Sequence, residues 1–305
     1  KSLEMTKKLF QLFQRSLSSI TSKTAVITGG ASGIGLSLAK VASLKGYNII
    51  LADIDENSLK LAKDTLNLNS SRLKTKVCNV SKENEIADLA NFAFDNFGEV
   101  SLLCNNAGVG LAKLSWEHTT KDWDWVLGVN MWSIIHANRY FIPRMLKQPG
   151  RSRILNTASA AGLLSTPGMI AYNVSKHAVV TMSETLYHEL KDLNANIDVS
   201  VLCPAFIPTG IAKSERNRPE DTKPSPEETA PTSEEHQQAN LKYGMALLKA
   251  VKSGRITADE VAVEVFDAME KDQFYIIPHK KILGGVHVRS EDITKLRPPT
   301  LLVPT

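Results

Sequence analysis

Apolar and polar positions along this chain follow two rhythms. Short runs rich in β-branched residues, at 24–28, 47–52, 74–80, 100–104, 152–158 and 198–203, read as strands. Between them, 37–45, 58–66, 83–97, 123–147 and 171–193 carry apolar residues at helical spacing. A late run over 273–278 reads as a seventh strand. Pairs such as Val26-Ile27 and Ile49-Ile50 are apolar on both faces, as expected of a parallel sheet covered on both sides. Repeated βα units of this length predict an α/β fold. The expected form is a Rossmann-type, doubly wound parallel sheet in three α/β/α layers with right-handed crossovers. No linker divides the chain, so a single domain is expected over 23–305, preceded by an extension over 1–22.

Three stretches stand outside the rhythm. Residues 213–238 carry Pro219, Pro224, Pro226 and Pro231 among many charges, too polar for a core. Following the sixth strand, they read as a lid or disordered loop at the carboxyl edge of the sheet, where open α/β folds bind ligands. Residues 279–305 read as a C-terminal tail. In the extension, Leu9, Phe10, Phe13 and Leu17 recur at helical spacing among Lys7, Lys8 and Arg15. Two readings stand for it: a segment that packs on a neighbouring subunit or frays, or a basic amphipathic helix for a membrane surface or for targeting.

Composition narrows the class. With 43% hydrophobic and 22% charged residues over 305 positions, the chain can bury a large core. A net charge of +4 without a basic block interleaved with aromatics excludes an evident nucleic-acid surface. No apolar stretch reaches the ~18 residues of a membrane-spanning helix. Cys78, Cys104 and Cys203 lie in or beside apolar runs and read as buried, reduced thiols in a cytoplasmic setting. No metal site is expected.

The first strand leads into Thr28-Gly29-Gly30-Ala31-Ser32-Gly33-Ile34-Gly35 and then a helix. Gly29 permits a sharp turn, while Gly33 and Gly35 let backbone amides and the helix start approach a pyrophosphate. The alternative is a tight turn without ligand. Asp53 ends the second strand, where a carboxylate can accept from both ribose hydroxyls of NAD and repel the 2′-phosphate of NADP. Ser32 adds no positive charge, so NAD is expected over NADP. Tyr172 and Lys176, four apart, share a helical face, and a cation beside a phenol favours its ionised form. Ser159, at the end of the fifth strand, can hold a substrate oxygen for proton transfer.

From Lys23 to Pro278 the sequence resembles the short-chain dehydrogenase/reductase family, in its single-domain NAD(P)-dependent subgroup. Thr28–Gly35 resembles the cofactor turn, and Asn105-Asn106-Ala107-Gly108 the segment that braces the sheet beside the adenosine. Ser159, Tyr172 and Lys176 match the catalytic serine, tyrosine and lysine. Asn130 matches a helix asparagine that holds a water linked to the lysine. Pro204 and Thr209 match the stretch that holds the carboxamide, with Ile207 between them. Two departures are visible: Ala205 replaces a glycine, and Asn79, followed by Val80, replaces an aspartate near the adenine. The Asn79 amide oxygen is expected to accept a hydrogen bond there.

The resemblance implies hydride transfer between nicotinamide and a secondary alcohol or ketone, with Tyr172 moving the proton. Apolar residues after the serine (Ala160, Leu163 and Leu164), before the tyrosine (Met169) and after the sixth strand (Phe206 and Ile207) suggest a lipid-like, terpenoid, steroid-like or aromatic substrate, or else core packing. Trp116, Trp123, Trp125 and Trp132 read as packing or subunit contact. The family implies a homodimer or homotetramer. Two rivals remain: a non-catalytic dinucleotide-binding sensor or scaffold, and a membrane-associated enzyme of the family directed to lipid by residues 1–22.

Overall fold

A computed structural model describes residues 23–302. The readings made for residues 1–22 lie outside the described residues. Seven strands form one parallel sheet: β1 (Thr24–Thr28), β2 (Asn48–Asp53), β3 (Leu73–Val77), β4 (Leu102–Asn105), β5 (Ser152–Thr157), β6 (Ile197–Leu202) and β7 (Tyr275–Ile276). Their order across the sheet is β3-β2-β1-β4-β5-β6-β7. The chain reverses its direction of travel between β1 and β4, and there the strands' carboxyl ends leave a crevice.

Helices cover both faces, as the apolar strands require. On one face α1 (Gly33–Leu44), α2 (Glu56–Leu66) and α8 (Ala258–Glu270) pack Leu38, Leu59 and Val265 against Ile27 and Leu51. On the other, α3 (Glu83–Phe97), α5 (Ser133–Met145) and α6 (Ile170–Asp192) pack Leu89, Phe141 and Leu186 against Val26 and Ile50. Alternate residues of β1 therefore serve opposite cores. Cys78, Cys104 and Cys203 are free and buried, and burial pushes the thiols of Cys78 and Cys203 up to about 12.

Three elements differ from the sequence reading. The expected helix over 123–147 is α4 (Thr120–Leu127), a π-helical segment (Gly128–Trp132) and α5. A π segment widens the turn without interrupting the apolar spacing, so periodicity does not reveal it. The expected irregular stretch over 213–238 contains 3-10 turns at Gly210–Asn217 and Glu220–Thr222 and a helical turn at Pro226–Thr229. It also contains the start of α7 (Glu234–Lys252). Ser225 and Ser233 cap those last two helices, accepting from the amides of Glu228 and His236. The tail contains α9 (Ile282–Thr294).

Candidate active site

The carboxyl ends of the strands open onto a cavity of about 1090 Å³. One end is walled by Asp53, Asn79 and Val80, and the middle by Gly29, Ser32, Gly33, Ile34, Asn106, Ala107 and Gly108. Beyond them stand Ser159, Tyr172, Lys176, Pro204, Ile207 and Thr209, then Ala160, Leu164, Met169 and Phe206. Two expected site residues lie behind the wall. Gly35 is buried against the turn, where an added Cβ would stand 2.1 Å from the Gly29 carbonyl oxygen. Asn130 is buried behind Val109.

The glycine turn is shaped for close approach. Gly29 and Gly33 have φ of 61° and 52°, the left-handed region, and a Cβ on Gly29 would meet Ala107 Cα at 2.9 Å. The N-cap of α1, Ser32, makes no side-chain cap bond, and the first turn holds no acid. By contrast, Asp55 caps α2 through the amides of Asn57 and Ser58. An uncapped helix start facing a cavity fits an anionic group. Thr28 and Asn106 brace the turn: the Thr28 hydroxyl accepts from the amides of Asn106 and Ala107 at 2.9 and 3.1 Å.

Asp53 accepts from the Ala31 amide at 3.1 Å and the Asp55 amide at 3.2 Å. Burial raises its carboxyl above the ordinary range against the pull of these bonds. Asn79 differs from its expected role. Its amide oxygen already accepts from the Ser81 amide at 3.1 Å and hydroxyl at 2.7 Å, which occupies both lone pairs.

At the far side Tyr172 and Lys176 sit one turn apart on α6, buried to 9% and 2% exposure. The phenol hydrogen-bonds with the Ser159 hydroxyl, and Lys176 Nζ stands 5.7 Å from the ring centre. Nζ donates to the Thr157 carbonyl at 2.8 Å. Burial lowers Lys176 to about 8 and raises the phenol, outweighing the Ser159 bond. The Asn130 amide donates to Val109 O and Ser175 Oγ at 2.9 and 3.0 Å and accepts from Val109 N at 2.8 Å. Its oxygen and Lys176 Nζ each lie 3.5 Å from where a Gly108 Cβ would stand. The two groups thus flank the same glycine.

The family model described as short chain dehydrogenase matches residues 23–220. The chain belongs to the short-chain dehydrogenase family. It is therefore an oxidoreductase acting on hydroxyl or keto groups. A solved short-chain dehydrogenase/reductase from Burkholderia phymatum, in complex with NAD, is 43% identical. Its match covers 93% of this chain and 98% of that one, with a TM-score of 0.88. The CLA biosynthesis dehydrogenase/reductase of Lactiplantibacillus plantarum is 35% identical, over 84% of this chain and 88% of its own length. The D-beta-hydroxybutyrate dehydrogenase of Rhizobium meliloti is 33% identical, over 63% and 74%.

This short-chain dehydrogenase also has cavity walls that sequence reasoning missed. Trp125, read as packing or subunit contact, is buried in the wall with the Arg218 guanidinium 4.7 Å from its ring. Leu247 and Val251 of α7, His279, Ile282 and Leu302 close the far end. The four-residue spacing of Leu247 and Val251 is the signal that marks α7. His279, a single residue after a short strand, carries no such signal.

Proposed function

We propose that this enzyme transfers a hydride between NAD and a hydrophobic secondary alcohol or ketone that carries an acidic group. One observation carries the reading. A continuous cavity joins Asp53 and the uncapped start of α1 to Ser159, Tyr172 and Lys176, then to the apolar wall of Leu164, Met169 and Phe206. Carboxylates line only one end of that wall, where Arg216 also stands. Asp53 and Asp55 stand at the ribose end, while Arg255, Lys280 and Lys281 stand beyond the catalytic groups. Lys280 pairs with Glu264 at 3.3 Å, which leaves Arg255 and Lys281 as the cations offered to an acidic substrate.

NAD supplies the hydride acceptor in oxidation. Gly29, Ser32, Gly33 and Ile34 would hold its pyrophosphate, and Asp53 its adenosine ribose. Asn106, Ala107 and Gly108 would lie along the dinucleotide, with Lys176 on the second ribose and Pro204, Ile207 and Thr209 at the carboxamide. Tyr172, as phenolate, takes the alcohol proton; in reduction it returns it. Ser159 holds the substrate oxygen, and Lys176 stabilises the phenolate. Asn130 supports Lys176 from behind Gly108. Such acid–base help is worth ~10²–10⁴-fold. Exposed Trp132 and Val174, the latter on α6, support a homodimer or homotetramer through that face. Among the described residues no helix is long and apolar enough to cross a membrane.

The test is reduction of NAD by hydroxybutyrate, long-chain hydroxy fatty acids and neutral secondary alcohols, with NADH and NADPH binding followed by fluorescence. The expected result is turnover of a hydroxy acid, abolished in Tyr172→Phe while NADH binding persists. An unmodified enzyme that binds NADH yet turns over nothing favours a sensor. Preference for neutral alcohols removes the acidic group from the reading. Tighter NADPH than NADH binding removes the argument from Asp53.

A further inference from the structure

We propose that His279 is a positioning residue for catalysis, fixing Ser159 through the peptide group that joins Pro204 to Ala205. The proposal rests on the dehydrogenase reading for its catalytic consequence, and on geometry alone for the contact itself.

Pro204 and Ala205 follow β6, whose sheet bonding extends to Cys203: the Cys203 amide donates to Ile276 O at 2.8 Å. The next peptide is gripped on both sides. Its carbonyl, that of Pro204, accepts from the Ala160 amide at 2.8 Å and from the Ser159 hydroxyl at 3.3 Å. Its N–H, that of Ala205, donates to His279 Nδ1 at 3.1 Å. Ser159 Oγ in turn accepts from the Ala161 amide at 3.1 Å and meets the Tyr172 phenol. One peptide plane thus separates the imidazole from the catalytic serine.

A backbone N–H only donates, so Nδ1 must be unprotonated and a neutral ring carries its proton on Nε2. An acceptor on the N–H side polarises the amide and strengthens its carbonyl as an acceptor. The ring thereby sets both the tilt of the peptide and the pull of Pro204 O on the serine proton. The long 3.3 Å bond suits this role, because the hydroxyl can leave it for a substrate oxygen.

Protonation would set two N–H donors against each other and release the peptide. Glu264 of α8 faces the ring and favours that proton, but burial outweighs it and keeps the ring neutral in ordinary conditions. Lys280, the next residue in the chain, pairs with Glu264 at 3.3 Å and offsets part of that pull.

Two variants separate positioning from simple packing. His279→Phe keeps a ring and loses the acceptor. His279→Asn loses the ring and places an amide oxygen where Nδ1 stands. The assay uses the hydroxy acid turned over by the unmodified enzyme, at saturating NAD. His279→Phe is expected to lose about tenfold in kcat, the worth of one ordinary hydrogen bond at the transition state, with NADH affinity within about twofold. His279→Asn is expected to recover most of that loss and to lack the acid-side fall in kcat that His279 contributes.

Nitrogen NMR of histidine-labelled protein with NADH needs no substrate. It should report His279 as the Nε2–H form with Nδ1 accepting, at neutral pH. The proposal is overturned by a protonated Nδ1 in that spectrum, by His279→Phe with unaltered kcat, or by His279→Asn falling as far as His279→Phe. A silent substrate panel would count against the dehydrogenase reading and leave the spectrum to decide the contact. Should His279→Phe fail to fold, the spectrum and His279→Asn still decide it.

Discussion

Two buried cations flank the cavity of this enzyme and are held in opposite ways. Lys176 is 2% exposed, and its described bond goes to a neutral carbonyl, that of Thr157. Arg218 is 6% exposed and meets a full counter-charge: Asp122 Oδ1 lies 2.7 Å from Nη1. Its other nitrogens donate to Thr222 O at 3.1 and 2.7 Å, and its plane lies over Trp125. Asp122 is wholly buried and also receives Lys113 at 2.9 Å and the Thr119 amide at 3.1 Å. Burial alone would raise its carboxyl, but Arg218 and Lys113 outweigh burial and hold it below the ordinary range. A buried charge without a counter-charge costs stability, whereas a paired and fully bonded one loses it only when broken. Under the proposed mechanism the first arrangement serves chemistry. The second fastens the segment after β6 to α4.

The widest break in that comparison comes from removing each cation in turn. Lys176→Met should lower kcat about 10³-fold, within the span of acid–base catalysis, because no cation remains beside the Tyr172 phenolate. The same change should leave unfolding stability at neutral pH equal or higher, since an uncompensated charge has left the interior. Arg218→Met should do the reverse. It strands Asp122 with Lys113 alone, and chemical denaturation should register a loss of about 4 kcal/mol. Its kcat should change little while KM rises as the segment loosens. Adding Asp122→Asn should recover much of the stability, because the orphaned charge is gone. A stability loss in Lys176→Met matching that in Arg218→Met would erase the distinction.

A pH series sharpens the same contrast. Burial holds native Lys176 at about 8, against 10.5 for an ordinary lysine. Below about 8 both folded and unfolded chains hold the proton, and the cost of the buried charge is present in full. Between about 8 and 10.5 the unfolded chain still holds a proton that the native one has released, so stability rises with pH. Relative to Lys176→Met, the unmodified enzyme should therefore gain up to about 3 kcal/mol across that window. Paired denaturation curves read the difference, and a flat difference would show that the ammonium is well solvated. Arg218 stays protonated throughout and should show no such step.

What the sequence made legible follows the distance over which its signals act. Thr28–Gly35, Asp53, Ser159 and the Tyr172–Lys176 pair are local patterns, set by a strand end, a turn or one helical repeat, and the cavity joins all of them but the ends of the glycine turn. The partners of Lys176 and Arg218 were not legible. That Thr157 O receives Lys176 depends on β5 lying beside α6. That Arg218 meets Asp122 depends on a contact 96 positions apart in the chain. Asn79 was legible by position but not by bonding, because Ser81 captures its amide oxygen. α7 hid behind the prolines before it, and the π segment kept the apolar spacing of the helix around it.

The gentlest test lies at the ribose end, where a half-buried charge combines both patterns. Asp53 has no cation in its described bonds, which come from the backbone amides of Ala31, Ile54 and Asp55, and burial raises its carboxyl. It thus resembles Lys176 in being held ready for a ligand. Arg216 lines the same cavity, and its charge reaches Asp55 next to Asp53. On the proposed reading, Asp53→Ser should therefore remove the group that excludes a 2′-phosphate and leave Arg216, of the same cavity, to attract it. NADH affinity should fall and NADPH affinity rise, shifting their ratio about tenfold, the worth of one charge-assisted hydrogen bond. Fluorescence titration of both cofactors reads the ratio. An unchanged ratio would mean that Arg216, tied to the carbonyls of Gly210 and Lys213, does not turn toward the ribose. Adding Arg216→Ala should then leave that ratio unmoved; where the ratio has shifted, the same addition should reverse the gain in NADPH.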